Sequence, residues 1–300
     1  MKQMVYKVET IDQLHQITGL EKPRNPLVTI IDYSKVVIED APATGSFVCS
    51  FYSINFKKHC RFLYGRQTFD HQEGTLHCTA PGQIITFDRE KESGSSEGWG
   101  LYFHPELIRN TAFAKKMNEY TFFSYSENEA LHLSGMEKST LVNILDQIQA
   151  EYNTSIDQYS NDLIISNIEL LLNYCKRYYG RQFITRASQN KDIISRFENF
   201  ISAYYHSEQL KENGIPSVKL CAGKMNLSPN YFSDLLKSET GKNARDHIQY
   251  HLLERAKTLL ANPGLTVSEI AYSLGFEYPQ SFSKLFRKKV GITPTEYRAG

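Results

Sequence analysis

The sequence contains no uninterrupted apolar run near the ~20 residues needed to span a bilayer, which excludes a membrane-crossing helix. It has only five cysteines, Cys49, Cys60, Cys78, Cys175 and Cys221, an odd number with no Cys-x-x-Cys pair and no cleavable leader ahead of them. A disulfide scaffold is therefore not expected; reduced thiols in a cytoplasm are, each acting as a small core hydrophobe. Catalytic signatures are missing as well. There is no nucleophile elbow, and Gly94-Ser-Ser-Glu-Gly98 has neither the spacing nor the context of a phosphate loop and reads as a hairpin. His59, His71 and His77 stand apart rather than at metal-ligand spacing, so neither a metal nor a cofactor is expected and no residue is assigned a catalytic role. Net charge is also scarce, at +1 over 300 residues.

The near-neutral total hides an asymmetry. From Gly214 onward there are 12 Lys and Arg against 7 Asp and Glu, a net of +5, while the remainder carries 22 against 26, a net of −4. A basic C-terminal region on a mildly acidic partner fits phosphate binding confined to one end. The length implies two domains, and 41% hydrophobic residues supply their cores. From Leu27 to Phe103, β-branched and aromatic runs alternate with glycine and proline turns. The predicted strands are Leu27–Ile31, Phe47–Phe56, Arg61–Tyr64, Gly74–Cys78, Ile84–Phe87 and Trp99–Phe103, a pattern suited to a small barrel or jelly roll. The period then changes to three and four. Leu141, Ile144, Leu145 and Ile148 mark one helix, and a second runs from about Asp157 to Tyr178. The polar, basic stretch 181–192 reads as a linker between a domain over 1–180 and another over 193–300, with Glu208 to Pro216 as a loop.

In the last third one pattern occurs twice. Val267, Ile270, Ala271 and Leu274 give a single apolar stripe, and Gly275 follows where a turn needs a positive φ. Phe282, Leu285 and Phe286 then define the buried side of a next helix whose opposite side carries Gln280, Ser281, Lys284, Arg287 and Lys288. About fifty residues upstream, Val218, Leu220, Cys221, Ala222 and Met225 repeat the stripe, and Asn226 takes the place of Gly275. Ser228-Pro229 opens the following helix with a hydroxyl cap and a proline at its first position. Tyr231, Phe232, Leu235 and Leu236 point inward, leaving Asn230, Ser233, Asp234 and Lys237 toward solvent. A long helix from Ala244 to Ala261 joins the two units and is stopped by Asn262-Pro263-Gly264. This is the layout of two helix-turn-helix units, each offering one helix to a major groove.

With the Phe286 to Arg298 ending, which contains Gly291-Ile-Thr-Pro-Thr-Glu-Tyr-Arg298, the stretch from about Val218 to Tyr297 resembles the DNA-binding domain of the AraC/XylS family of bacterial transcription regulators. The run Gly74 to Phe87 and the Phe103-His104-Pro105-Glu106 exit are similar to the cupin-like sensor domain found ahead of such domains. The resemblance implies an α+β chain: an N-terminal β-barrel or jelly roll with following helices, and an all-α C-terminal domain with two helix-turn-helix units. It implies base-edge readers at Asn230, Ser233 and Asp234 and at Gln280, Ser281 and Lys284, with Ser228, Lys237, Arg287 and Lys288 also at the DNA. Asp234 departs from the more usual basic or amide residue. A sensor pocket would be lined by Phe51, Phe62, Tyr64, Phe87, Trp99 and Tyr102, unless these rings simply fill the barrel. Leu141, Ile144, Leu145 and Ile148 would pair two subunits, or else pack on their own domain. The implied partners are double-stranded DNA, a small-molecule effector, a second copy of the chain and, for an activator, RNA polymerase. The competing reading is a cupin-type metalloenzyme fused to a nucleic-acid-binding module.

Overall fold

The computed structural model describes residues 5–36, 44–58, 74–88, 97–154, 157 and 159–299. The chain divides into two compact units, Met1–Gln182 and Phe183–Gly300. The first is rich in sheet and the second is helical throughout its described residues.

In the first unit, strand β1 (Val5–Val8) leads into helix α1 (Ile11–Ile17), which Thr10 and Gln13 cap reciprocally. Strands β2 (Val28–Asp32), β3 (Thr44–Cys49), β4 (Tyr52–Lys57), β5 (Thr75–Thr79), β6 (Ile84–Asp88), β7 (Gly98–Phe103) and β8 (Leu131–His132) follow. They form a three-stranded sheet ordered β1-β3-β6 and a five-stranded antiparallel sheet ordered β2-β7-β4-β5-β8. Among the described residues these are two separate sheets rather than one closed barrel. The run Phe47–Phe56, expected as one strand, is broken at Ser50-Phe51. Phe51 is fully buried beside Val8, Ile11 and Ile31, and the chain turns there to pass from one sheet to the other. The expected strand Arg61–Tyr64 and most of the Gly94–Gly98 hairpin lie outside the described residues, as do Cys60, His59 and His71.

The register of the large sheet separates two chemically distinct faces. Ile54, Phe56, Leu76, Cys78, Leu101 and Phe103 share one face, all nearly inaccessible to solvent. Phe123 packs against Tyr52 on this side, and the Lys138 ammonium sits 5.6 Å from the Phe56 ring. Thr29, Ser53, Asn55, His77, Thr79, Gly100 and Tyr102 share the other. After the short helices α2 (Pro105–Ile108) and α3 (Ala112–Lys116) come two long ones, α4 (Gly135–Asn153) and α5 (Ser160–Thr185), the last three residues of α5, from Phe183 on, belonging to the second unit.

Two expectations change here. The α4 stripe Leu141, Ile144, Leu145 and Ile148 is at most 6% exposed. Those side chains are used up by the domain's own core and offer no face for a second subunit. The segment 181–192, expected as a linker, is helical on both sides of Arg186. Arg181 donates to both carboxylate oxygens of Glu137 at 3.0 and 2.8 Å and to the His132 carbonyl. Buried Gln182 accepts from the His132 N–H and donates to the Ala130 carbonyl. Long-range partners therefore keep the polar residues 181 and 182 in a helix.

The second unit consists of α6 (Ala187–His206), α7 (Gln209–Asn213), α8 (Val218–Lys224), α9 (Pro229–Thr240), α10 (Ala244–Leu260), α11 (Val267–Ser273), α12 (Pro279–Val290) and α13 (Pro294–Ala299). The expected loop Glu208 to Pro216 thus contains one short helix, anchored by buried Leu210. A single core joins α6 and α8–α12 through Phe197, Ile201, Cys221, Phe232, Leu252, Ala256, Ile270, Phe282 and Phe286. Cys49, Cys78, Cys175 and Cys221 are buried free thiols, and burial pushes them above the usual thiol range, to about 12 for Cys49 and Cys175 and about 11 for Cys221. Such thiols are unreactive.

Candidate nucleic-acid interface

The two helix-turn-helix units are built by the same local chemistry. Ser217 caps α8 by accepting from the Leu220 N–H; Thr266 caps α11 and exchanges hydrogen bonds with Glu269. Those bonds hold the Glu269 carboxyl below its ordinary value, the Thr266 backbone contributing most. Each first helix then closes through a reversed backbone bond. The Leu227 N–H donates to the Ala222 carbonyl, and the Phe276 N–H to the Ala271 carbonyl, both at 3.0 Å. That closure requires a left-handed residue just before the donor. Asn226 (φ 59°) and Gly275 (φ 80°) supply it, and Asn226 is the one non-glycine residue with positive φ among those described. Gly275 is doubly constrained, because a Cβ there would stand 2.7 Å from the Gly214 Cα and 3.0 Å from the Leu210 carbonyl oxygen.

Beyond the turn the units diverge. Asn226-Leu227-Ser228 connects α8 to α9, whereas Gly275-Phe276-Glu277-Tyr278 is one residue longer. Ser228 caps α9 through its hydroxyl, which accepts from the Tyr231 N–H, while Tyr278 gives α12 no side-chain cap. Both reading helices end on a left-handed glycine, Gly241 and Gly291. Between them α10 presents Ile248, Leu252, Leu253, Ala256 and Leu260 to the core.

The Gly291 to Arg298 ending has a structural job. Gly291 stops α12; Thr293 and Glu296 cap α13 reciprocally, and Pro294 opens it. The Tyr297 ring meets Phe286 edge-on at 5.5 Å, and Arg298 donates to the Leu260 carbonyl at the end of α10. The tail thus locks the second reading helix to the connecting helix.

On α12 the expected side chains Gln280, Ser281, Lys284, Arg287 and Lys288 are all exposed and lie on one side of the helix. Cations in its last turn also oppose the negative end of the helix dipole. Lys289, in the same turn, is tied to Asp246 at 3.1 Å. On α9, Asn230 and Lys237 are exposed, but Ser233 and Asp234 are half-buried. The Ser233 hydroxyl accepts from the Ala244 N–H, and Ser228 is only 8% exposed, so the fold itself engages both of these expected contacts. Superposing the repeats by their prolines places Asp234 opposite Lys284 and Ser233 opposite Ser283, a residue the sequence reading left out.

Among the described residues the expected aromatic set meets only in part, the Phe51 ring lying edge-on to Tyr102 with centroids 5.9 Å apart. Phe51 is buried core, Trp99 stacks on Phe56 on the opposite face of the sheet from Tyr102, and Phe62, Tyr64 and the Phe87 side chain lie outside the described residues. Tyr102 also belongs to a polar ladder. The Tyr33 hydroxyl lies 3.1 Å from that of Tyr102 and donates to Asn55 at 2.5 Å. Asn55 in turn donates to Ser53, whose hydroxyl lies 2.6 Å from that of Thr79. Gly100 belongs here of necessity, since a Cβ would strike the Tyr33 hydroxyl. Thr79 and His77 also border an open cavity of about 340 Å³ lined by Gln83, Ile84, Ser124, Ser126 and Glu127. Burial, helped by Lys57, lowers His77 to about 4, so its ring is neutral near pH 7. Among the described residues no three His, Cys, Asp or Glu side chains gather as a metal site, and no helix is long and apolar enough to cross a membrane.

Residues 221–300 match the model of a helix-turn-helix domain family. The chain is 30% identical over 160 residues to an uncharacterized HTH-type transcriptional regulator, YijO, of Escherichia coli, covering 53% of this chain and 52% of that protein. It is 24% identical over 233 residues to the arabinose operon regulatory protein of Salmonella typhimurium, covering 76% and 75%. Among solved structures it is similar to the C-terminal domain of the response regulator yesN from Fusobacterium nucleatum, with 31% identity, 34% of this chain and 93% of that one covered, and a TM-score of 0.30. The chain spans about half the length of the first relative and three quarters of the second. The paired turns and the C-terminal tail fall within residues 221–300, so this part of the chain is a helix-turn-helix domain of the matched family, and the chain is similar to known regulators of transcription.

Proposed function

We propose that this chain is a sequence-specific regulator of transcription that reads two adjacent stretches of major groove, with α12 as the stronger hold and α9 as the more selective one. The observation that carries this is the pair of identically closed turns, each presenting a helix of 12 residues. The 17-residue α10 that joins them is about 26 Å long. That is the order of one turn of duplex, ~34 Å. Gln280 and Asn230 suit adenine edges and Lys284 suits guanine, while Lys237, Arg287 and Lys288 hold phosphates. Asp234 suits the amino group of cytosine and repels phosphate, which makes α9 the pickier helix. Selection of bound duplexes from a random pool should return a bipartite site with its halves about one turn apart. Retention of all duplexes alike would overturn the reading.

The N-terminal unit is the sensor in this proposal, and its ligand is neutral and rich in hydroxyls. The Tyr33-Asn55-Ser53-Thr79 ladder, whose donors and acceptors are uncharged, runs up to the cavity beside β5, where Glu127 adds a carboxylate to the lining. The arabinose operon regulatory protein is itself named for a sugar operon, which fits the same chemistry. Thermal-shift screening of the full chain against neutral sugars, organic acids and amines tests this; stabilisation by the charged classes alone would overturn it. The setting is the cytoplasm. A paired state would use a surface other than the α4 stripe, and RNA polymerase is the further partner of an activating form.

A further inference from the structure

The two reading helices carry the same fold but are not held alike. On α12, Ser281 is exposed and Leu285 is only partly buried. At the equivalent places on α9, Tyr231 is 2% and Leu235 0% exposed. Part of what covers that flank of α9 comes from the junction of α5 and α6. The Phe183 ring, itself buried, packs on Tyr231 with centroids 5.1 Å apart. Asn190, 2% exposed, donates from Nδ2 to the Phe183 carbonyl at 2.8 Å and to Glu239 Oε1 at 2.7 Å.

Each half of this arrangement solves a problem that the other creates. The Phe183 carbonyl lies in the last turn of α5, where no later amide of that helix can reach it. Glu239 lies in the last turn of α9, where an acidic side chain faces the negative end of the helix dipole. The second unit has Lys289 at that place, which the dipole favours. An acid kept at an unfavourable position and a fully buried amide are explained together if their bond fixes where α9 lies. On the circumference of α9, Tyr231 and Leu235 neighbour the side that carries Asp234, so whatever presses on them sets the angle of the reading face.

We propose that Phe183, Asn190 and Glu239 form a positioning clamp for the first reading helix alone, so that the junction between α5 and α6 governs how α9 meets DNA while α12 is independent of it. The clamp rests on the DNA-binding reading above. These residues touch no base; they act through α9.

The test uses the full chain and a duplex selected by the wild-type protein, with versions in which either half is scrambled. Asn190→Ala and Glu239→Ala should weaken binding to the intact duplex about 10-fold. They should also weaken it to the duplex keeping only the α9 half, and leave affinity for the duplex keeping only the α12 half within twofold. Glu239→Gln keeps the accepting oxygen and should bind like wild type. Glu239 is only partly buried, so its variants remain informative if Asn190→Ala fails to fold. Equal losses on both half-sites, no loss on either, or a loss in Glu239→Gln as large as in Glu239→Ala would each overturn the clamp. A wild-type chain that selects no duplex at all overturns the DNA-binding reading and the clamp with it, whereas a failure confined to the half-site pattern leaves the DNA-binding reading standing.

Discussion

Single residues set the turns, and the two turns should respond differently to the same chemistry. Gly275→Ala combines the left-handed penalty of about 1–2 kcal/mol with a backbone collision at Gly214, so a loss of at least about 2 kcal/mol is expected in urea unfolding. Asn226→Gly relieves a side chain already in a tolerated conformation and should shift stability by less than about 0.5 kcal/mol. On the reading face, Lys284→Ala should relax specificity at one operator position at a cost of roughly 1–3 kcal/mol, whereas Lys288→Ala should weaken all duplexes equally. Mobility shifts on matched and scrambled sites separate the two. His77 gives the N-terminal unit an acid limit. Its ring is neutral in the fold down to about 4, whereas an unfolded histidine gains its proton near 6.5. The stability it contributes is complete above about 6.5 and drains away as pH falls toward 4, by roughly 3 kcal/mol in all. His77→Asn should flatten that part of the curve; an unchanged acid transition would remove His77 as its cause.

At the scale of elements, the tail converts a sequence signature into mechanical support for α12. Tyr297→Ala removes the ring packed on Phe286 and should cost the C-terminal unit roughly 2 kcal/mol, read as a lower thermal midpoint with the first unit's transition unmoved. What could be read from the sequence follows from where each element finds its partners. The helix-turn-helix units were legible because their determinants are local: the caps Ser228 and Thr266, the turn residues Asn226 and Gly275, and stripes at helical spacing. That 181–192 is helical was not legible because Arg181 and Gln182 are held by Glu137, His132 and Ala130, far away in sequence. Strand β1 went unseen because three of its four residues are exposed and no alternation marks it. For the site, what the structure adds on α12 is that the named side chains are exposed on one side of the helix. On α9 the Ser228 and Ser233 hydroxyls accept from amides of their own unit, which the sequence could not show, since a hydroxyl at helical spacing gives no sign of whether it faces a groove or a neighbouring amide.

For the whole molecule, charge is the governing quantity. The basic end carries +5 and the rest −4, so attraction to a polyanion is local and moderate. If Lys237, Arg287 and Lys288 each neutralise one phosphate, the logarithm of the association constant should fall against the logarithm of salt with a slope of about −3. A slope near zero in a salt titration of duplex binding would contradict that assignment. The burial of the α4 stripe bears on assembly. Substituting polar residues at Leu141 or Ile148 should unfold the N-terminal unit rather than yield a soluble monomer, and sedimentation beside circular dichroism distinguishes these outcomes.

The meeting of Gly275 with Gly214 bears on how such a domain can change over generations. Every single-base missense change of a glycine codon adds at least a Cβ, and at position 275 that atom has no room and no permitted conformation. Position 226 already bears a side chain. In a saturation library scored for DNA binding, the first turn should tolerate a small family of residues and the second almost none. Drift at the turn itself would then accumulate in the first unit and be barred from the second.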